Sequence, residues 1–296
     1  MLEIKVPATS ANFGPGFDSL GVALDLYNKF YIEEIEEGII IEGCDEVYKG
    51  KENLIYKSME ECFKIVNYIP KGVHIKVEAQ IPLSRGLGSS ASCIVAGLLA
   101  ANEISGNKLN KKDILNLATK IEDHSDNITP ALFGGMTVSI SHKEETLFNS
   151  ISVPDKICFC AIIPKFKLST KEARAVLPKE VSYKDAVFNI SRVSMLISSL
   201  YNSNLNLLKV ACEDRIHESY RGTLIDNFEE VISICEELKC LGVFLSGAGP
   251  TVIALVEEGN LEFFKRLKER LIIFNSTWSI KKLRLDNFGA VIKEIK

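Results

Sequence analysis

The stretch Pro82-Leu83-Ser84-Arg85-Gly86-Leu87-Gly88-Ser89-Ser90-Ala91 decides how this chain is read. It is a turn with two glycines and three hydroxyls. It lies between an alternating segment (Val73, Ile75 and Val77 against His74, Lys76 and Glu78) and a small-residue stretch, Ser89–Ile104, that reads as a helix. A strand, a Gly/Ser loop and a helix N-terminus in that order make a receptacle for phosphate. The first N–H groups of the helix lack partners, and the positive end of its dipole stands behind them. Glycine lets the backbone approach an anion closely. The hydroxyls of Ser89 and Ser90 can donate to phosphate or ligate a magnesium ion. The same letters also suit a plain turn that needs glycine for geometry alone. A Walker loop is excluded because no lysine follows Gly88, and no H-R-D or D-F-G tripeptide of the protein kinases occurs.

Outward from the loop, the first half mixes strands and helices. Leu2–Val6 and Leu20–Ile35 are expected as strands, Asn53–Val66 and Lys111–Glu122 as amphipathic helices, and Met136–Ser141 as a strand after Gly134-Gly135. Residues 143–155 are expected to be a polar connector, and the domain boundary is placed near residue 150. Beyond it come a strand at Ile157–Ile163 and helices at Ser169–Val176, Asp185–Leu200 and Phe228–Leu238. Strands Val243–Leu245 and Val252–Val256 are joined by Ser246-Gly247-Ala248-Gly249-Pro250-Thr251. A helix near 260–270 and two last strands end the chain.

With 296 residues, 46% hydrophobic and 25% charged, the chain has the balance of a folded soluble protein. A net charge of −4 without a basic tract speaks against a nucleic-acid partner. No apolar run approaches the roughly 20 residues of a membrane span, and Met1–Val6 lacks a signal peptide's apolar core. The eight cysteines form no C-x-x-C. They are expected as buried free thiols in a reducing cytoplasm, rather than a disulfide framework or zinc site.

Pro7-Ala8-Thr9-Ser10-Ala11-Asn12-Phe13-Gly14-Pro15-Gly16-Phe17-Asp18 sets a Gly-Pro-Gly turn between an amide and a carboxylate. An Asn12/Asp18 pair offers acceptors to an ammonium or hydroxyl group, although such a segment can also be a capped tight turn. Pro7–Leu24, Pro82–Ala91 and Ser246–Thr251 together, in this order, resemble the GHMP small-molecule kinases, and within them the homoserine kinases. His124-Ser125-Asp126-Asn127 resembles that family's H-x-D-N element, continued by Pro130-Ala131-Leu132-Phe133-Gly134-Gly135. Leu168–Arg174 and His217–Arg221 resemble two further elements. The likeness spans nearly the whole chain.

The resemblance implies an α+β fold in two parts: an N-terminal ATP-binding domain over residues 1–150, like ribosomal protein S5 domain 2, and a ferredoxin-like C-terminal domain over 151–296. It implies phosphorylation of the L-homoserine hydroxyl by ATP with Mg²⁺, in threonine biosynthesis. Pro82, Leu83, Ser84, Arg85, Gly86, Leu87, Gly88, Ser89, Ser90, Ala91 and Ser92 would form the nucleotide loop, with Ser90 on the metal. Asn12 and Asp18 would hold the amino and hydroxyl end, with His124 and Asn127 beside them. Arg174 and Arg221 would clamp the carboxylate with Thr170 nearby, as guanidinium forks do. Among the catalytic residues, Asn127, His124 and Arg174, the amide cannot be a general base. Direct attack by the hydroxyl is therefore expected, with His124 the nearby side chain able to pass a proton.

Two departures from the family pattern stand out. Asn116 aligns with an expected metal-binding glutamate, which predicts weaker magnesium affinity unless Glu122 or another carboxylate substitutes. Asp123 and Ser125 replace a commoner glycine and proline, which predicts a displaced turn. Two rival readings remain: another kinase of the group acting on mevalonate or a sugar, and a sensor that binds nucleotide and amino acid without turnover. The adenine pocket is guessed between Asn53 and Tyr56. An exposed strand in either half would allow a homodimer.

Overall fold

A computed structural model of the chain describes residues 1–274 and 278–295. It opens with an antiparallel pair, β1 (Leu2–Ala11) and β2 (Leu20–Ile35), whose register shifts between Pro7 and Ala8. Along β2, buried Leu26, Asn28, Phe30 and Ile32 alternate with the more exposed Asp25, Tyr27, Lys29 and Tyr31. That period of two puts every second side chain into one core. β1 runs on to Ala11, past the expected end at Val6, so the Asn12–Asp18 turn begins where a sheet strand ends.

β3 (Gly38–Glu42), α1 (Leu54–Val66) and β4 (Gly72–Glu78) follow. Then come α2 (Ser89–Ile104), α3 (Lys111–Glu122), α4 (Ile128–Phe133), β5 (Met136–His142) and β6 (Glu145–Ile151). β11 (Val291–Glu294), from the far end of the chain, pairs with β1. The first sheet has the order β11-β1-β2-β4-β3, with β5 on β2 and β6 on β5. The segment expected as a polar connector is thus mostly strand. Lys143 takes φ 57 at the turn, and β6 forms a hairpin with β5 that satisfies its main chain.

The second half begins with β7 (Ile157–Pro164), buried at every residue. Phe159, Ala161 and Ile163 face a core shared with the first sheet, whereas Cys158, Cys160 and Ile162 face a second core. A strand covered on both faces reads as a continuous apolar run, and this one does. Next come α5 (Thr170–Ala175), α6 (Tyr183–Tyr201), α7 (Leu208–Ala211), α8 (Glu218–Gly222) and α9 (Phe228–Glu237). β8 (Gly242–Leu245), β9 (Val252–Glu257), α10 (Leu261–Leu271) and β10 (Trp278–Leu283) complete a four-stranded antiparallel sheet of order β10-β7-β9-β8. The expected boundary near residue 150 falls at the end of β6, and one strand of the second half, β11, lies in the first sheet.

Helices α1 to α4 cover the first sheet through Met59, Ile94, Ile114 and Leu132. Each such buried side chain contributes about 1.5–3 kcal/mol relative to exposure. α2 carries small residues because α1 lies hard against it: a Cβ at Gly97 would sit 2.4 Å from the Ile55 carbonyl oxygen. All eight cysteines are free, six of them buried. Among the described residues no helix is long and apolar enough to cross a membrane.

Candidate active site

A cavity of about 470 Å³ opens where the loop before α2, the Asn12–Asp18 turn, the α3–α4 turn, α5 and the β8–β9 turn converge. The loop is fixed from several sides. Gly86 takes φ +70, and a Cβ there would fall 2.3 Å from the Ser246 carbonyl oxygen, so only glycine lets the loop lie on the β8–β9 turn. Gly88, φ +68, stands before the first turn of α2, and a Cβ there would strike Thr9 Oγ1. Ser246 Oγ donates to the Gly86 carbonyl. Arg85 spends its guanidinium on the carbonyls of Leu83, Pro164 and Lys165, and so staples the loop rather than facing a ligand.

Leu83 through Ser90 line the cavity. Pro82, Ala91 and Ser92 do not. Ala91 is wholly buried, and Ser92 Oγ donates to the Ser89 carbonyl while accepting from Asn28 Nδ2. Ser90 Oγ donates to Glu122 Oε2 at 2.8 Å, at the N-terminus of α2. Burial pushes the Glu122 carboxyl above its usual range. Asn116 is not at this place: its Oδ1 accepts from the Thr146 N–H of β6 at 2.9 Å. The carboxylate beside Ser90 is Glu122, the last residue of α3 and the residue that the sequence reading allows as a substitute for the expected glutamate at Asn116. Asp123 ends α3 in the left-handed region, φ 70, standing in for the commoner glycine.

At the other end lie two carboxylates and two guanidinium groups. Asn12 (φ 70) accepts at Oδ1 from the Asp18 N–H and gives Nδ2 to the Gly247 carbonyl. Asp18 takes a two-pronged bond from Arg174, at 2.8 and 3.2 Å, with both side chains 38% exposed. Arg174, which the likeness assigns to the substrate carboxylate together with Arg221, is paired with Asp18 in this structure. Arg221 is 2% exposed and donates to the carbonyls of Gly247 and Ala173. Burial, and then the charge of Arg174, lower its pKa. Thr170 lines the cavity at the start of α5, which Ser169 and Glu172 cap reciprocally.

Asn127 Oδ1 accepts from Thr9 Oγ1 at 2.7 Å. His124 Nδ1 is 3.7 Å from Asp126 Oδ1. Asp126, 3% exposed, lines the same cavity, and burial together with the charge of Asp18 raises its pKa to about 7. Asn53, Leu54 and Ile55 line the opposite end, whereas Tyr56 does not. Asn53 Oδ1 caps α1 through the N–H groups of Ile55 and Tyr56.

Sequence reasoning missed three residues. Thr9 gives its hydroxyl to Asn127 and its N–H to the Leu87 carbonyl, a role visible only when β1 is laid beside the loop. Phe17 has its ring 5.0 Å from Arg221 Cζ and 5.7 Å from Arg174 Cζ. Asp126, which lines the cavity, was within reach of sequence, since it stands between His124 and Asn127 in the H-x-D-N element.

Two family models match the chain: the GHMP kinases N terminal domain over residues 53–135 and the GHMP kinases C terminal model over 196–271. A homoserine kinase of Clostridium botulinum (strain ATCC 19397 / Type A) is 50% identical over all 296 residues, covering the whole of both chains. The crystal structure of homoserine kinase from Cytophaga hutchinsonii superposes with a TM-score of 0.90 at 28% identity, over 99% of this chain and 97% of that one. The structure of a putative homoserine kinase from Listeria monocytogenes gives 0.82 at 27% identity, over the whole of both. With half of its residues identical to a full-length relative and both halves matched in order, this chain belongs to the homoserine kinases, within the GHMP kinase family.

Proposed function

We propose that the chain transfers the γ-phosphoryl group of ATP to the side-chain hydroxyl of L-homoserine, giving O-phospho-L-homoserine. The observation that carries this reading is the charge pattern of one cavity: Asp18 and Asp126 beside Arg174 and Arg221, next to a helix N-terminus bearing Ser89 and Ser90. Such a pattern complements a zwitterion at one end and phosphates at the other. Asp126 and Asn12 receive the ammonium group, and the two guanidinium groups receive the carboxylate.

The loop main chain from Gly86 to Ser90 cradles the phosphates. Ser90 and Glu122 present a hydroxyl and a carboxylate oxygen side by side, the hard donors that magnesium takes, so the residues fit the metal that accompanies ATP. When bound there, Mg²⁺ neutralises phosphate charge. Asn127, held by Thr9, orients the substrate hydroxyl and cannot remove its proton. Phosphoryl transfer passes through a loose transition state, so positioning and charge neutralisation suffice without a strong base, and the proton leaves to phosphate or solvent.

Mevalonate has a carboxylate but no ammonium group and galactose has neither, so neither complements Asp126 together with the two guanidinium groups as homoserine does. The sensor reading rested on Asn116; the Asn116 Oδ1 accepts from the Thr146 N–H, and the carboxylate of Glu122 beside Ser90 supports turnover. The test is ADP release with Mg²⁺ and ATP over homoserine, mevalonate and galactose. Turnover with homoserine alone is expected. Equal or better turnover with mevalonate or galactose, or binding of homoserine without ADP release, would overturn the proposal.

A further inference from the structure

The turn that carries Asn12 and Asp18 and the helix that carries Arg221 are distant in sequence, yet they meet at one side chain. His217, just before α8, is wholly buried. Its Nε2 lies 2.8 Å from the Gly14 carbonyl oxygen. A carbonyl can only accept, so Nε2 carries the proton and donates. The ring also stacks on Phe17, with centroids 5.1 Å apart and planes inclined by 24°. The main chain at His217 is itself fixed, because Asp214 Oδ2 accepts from the N–H groups of Ile216, His217 and Glu218 at 3.0, 2.8 and 2.8 Å.

Phe17 passes this rigidity on. The guanidinium carbons of Arg221 and Arg174 lie 5.0 and 5.7 Å from its ring centroid. Two cations this near each other repel, and an aromatic face attracts both. α8 has five residues and cannot hold an arginine in place by its own stability.

We propose that His217 and Phe17 are positioning residues for the amino-acid substrate: the histidine locks the Asn12–Asp18 turn to α8, and the Phe17 ring sets the spacing of the two guanidinium groups that receive the carboxylate. The proposal rests on the assignment of Arg174 and Arg221 to that carboxylate.

The experiment compares His217→Ala and Phe17→Leu with the conservative His217→Gln and Phe17→Tyr, using Arg221→Lys as reference. His217→Ala and Phe17→Leu are expected to raise KM for homoserine about tenfold while kcat and KM for ATP stay within about twofold. His217→Gln keeps an N–H for Gly14, Phe17→Tyr keeps the ring, and each is expected to recover most of the loss. With 3-aminopropan-1-ol, which lacks the carboxylate, kcat/KM should be the same in the wild type and in both disruptive variants. Phe17 is partly exposed, so Phe17→Leu carries the test if His217→Ala does not fold. A folded Phe17→Leu with unchanged homoserine KM, or with equal losses on homoserine and aminopropanol, overturns the proposal. If Arg221→Lys also leaves homoserine KM unchanged, it is the carboxylate assignment that fails; if Arg221→Lys raises it and Phe17→Leu does not, only the positioning role falls.

Discussion

Two carboxyls in this cavity are held above their ordinary range by burial, and each gives a distinct expectation. Asp126 reaches a pKa of about 7, with the negative charge of Asp18 adding to the burial. Its anion is the form that pairs with an ammonium group, so KM for homoserine should rise as pH falls through about 7. Asp126→Asn should raise that KM at least about tenfold at pH 8 and flatten its pH dependence. The stability sign is opposite to that of an ion-paired carboxylate. Between its unfolded pKa near 3.8 and the folded value of about 7, the folded protein holds a proton that the unfolded chain releases. This residue therefore makes stability fall as pH rises across that window, and Asp126→Asn should remove that slope in urea titrations at pH 5, 6 and 7. Glu122 faces Ser90 at the phosphate end. Glu122→Gln should raise half-saturation for Mg²⁺ about tenfold or more, while Asn116→Ala, bonded away at Thr146, should leave it unchanged. Equal half-saturation in both variants would sink the metal assignment.

At the scale of elements, the loop before α2 is held by contacts with three other segments, and that explains what sequence could and could not show. Its glycines and its place between strand and helix are local facts, legible in ten letters. The reason Gly86 must be glycine is the Ser246 carbonyl, 160 residues away, and no local pattern reports it. Gly86→Ala should raise KM for ATP by more than about tenfold, because the methyl group pushes the loop off the β8–β9 turn; unchanged ATP kinetics would show that the loop need not lie there. β6 was missed for a related reason. Its side chains are mostly polar and only Thr146 is buried, so it carries no core signal, and its strand character comes from pairing with β5. β7 was read correctly because both of its faces are covered and its letters are apolar throughout. The pairing of Asp18 with Arg174, across 156 residues, is the part of the site that composition and spacing leave open, since either side chain alone is an ordinary surface charge.

At the scale of the molecule, the cavity draws its walls from both halves, and the chain is threaded so that they stay together. After β10 the backbone leaves the second sheet, crosses the start of β2 and ends as β11 on β1. Asp286, 5% exposed, is the fastening of that crossing. Its Oδ2 accepts from Tyr27 Oη at 2.8 Å and its Oδ1 from the N–H groups of Phe288 and Gly289, while its own carbonyl accepts from Gly135. Gly134 admits the segment, since a Cβ there would stand 2.5 Å from the Phe288 nitrogen. Asp286→Ala leaves three donors without their acceptor, at about 1 kcal/mol each or somewhat more. A loss of about 2–4 kcal/mol should follow, which for a chain of this size lowers the melting midpoint by roughly 5–10 °C. Because the strap ties β1 and β2 to the second sheet, the transition should remain single when followed by far-UV and near-UV circular dichroism together. Adding ATP and homoserine should raise the midpoint of both proteins, since ligands that touch both halves bind the folded chain alone. An unchanged midpoint in Asp286→Ala would mean that the two halves are joined by the shared core around Phe159 and Phe244 and not by the returning strand, whereas two separated transitions would mean that this core does not couple them without the Asp286 fastening.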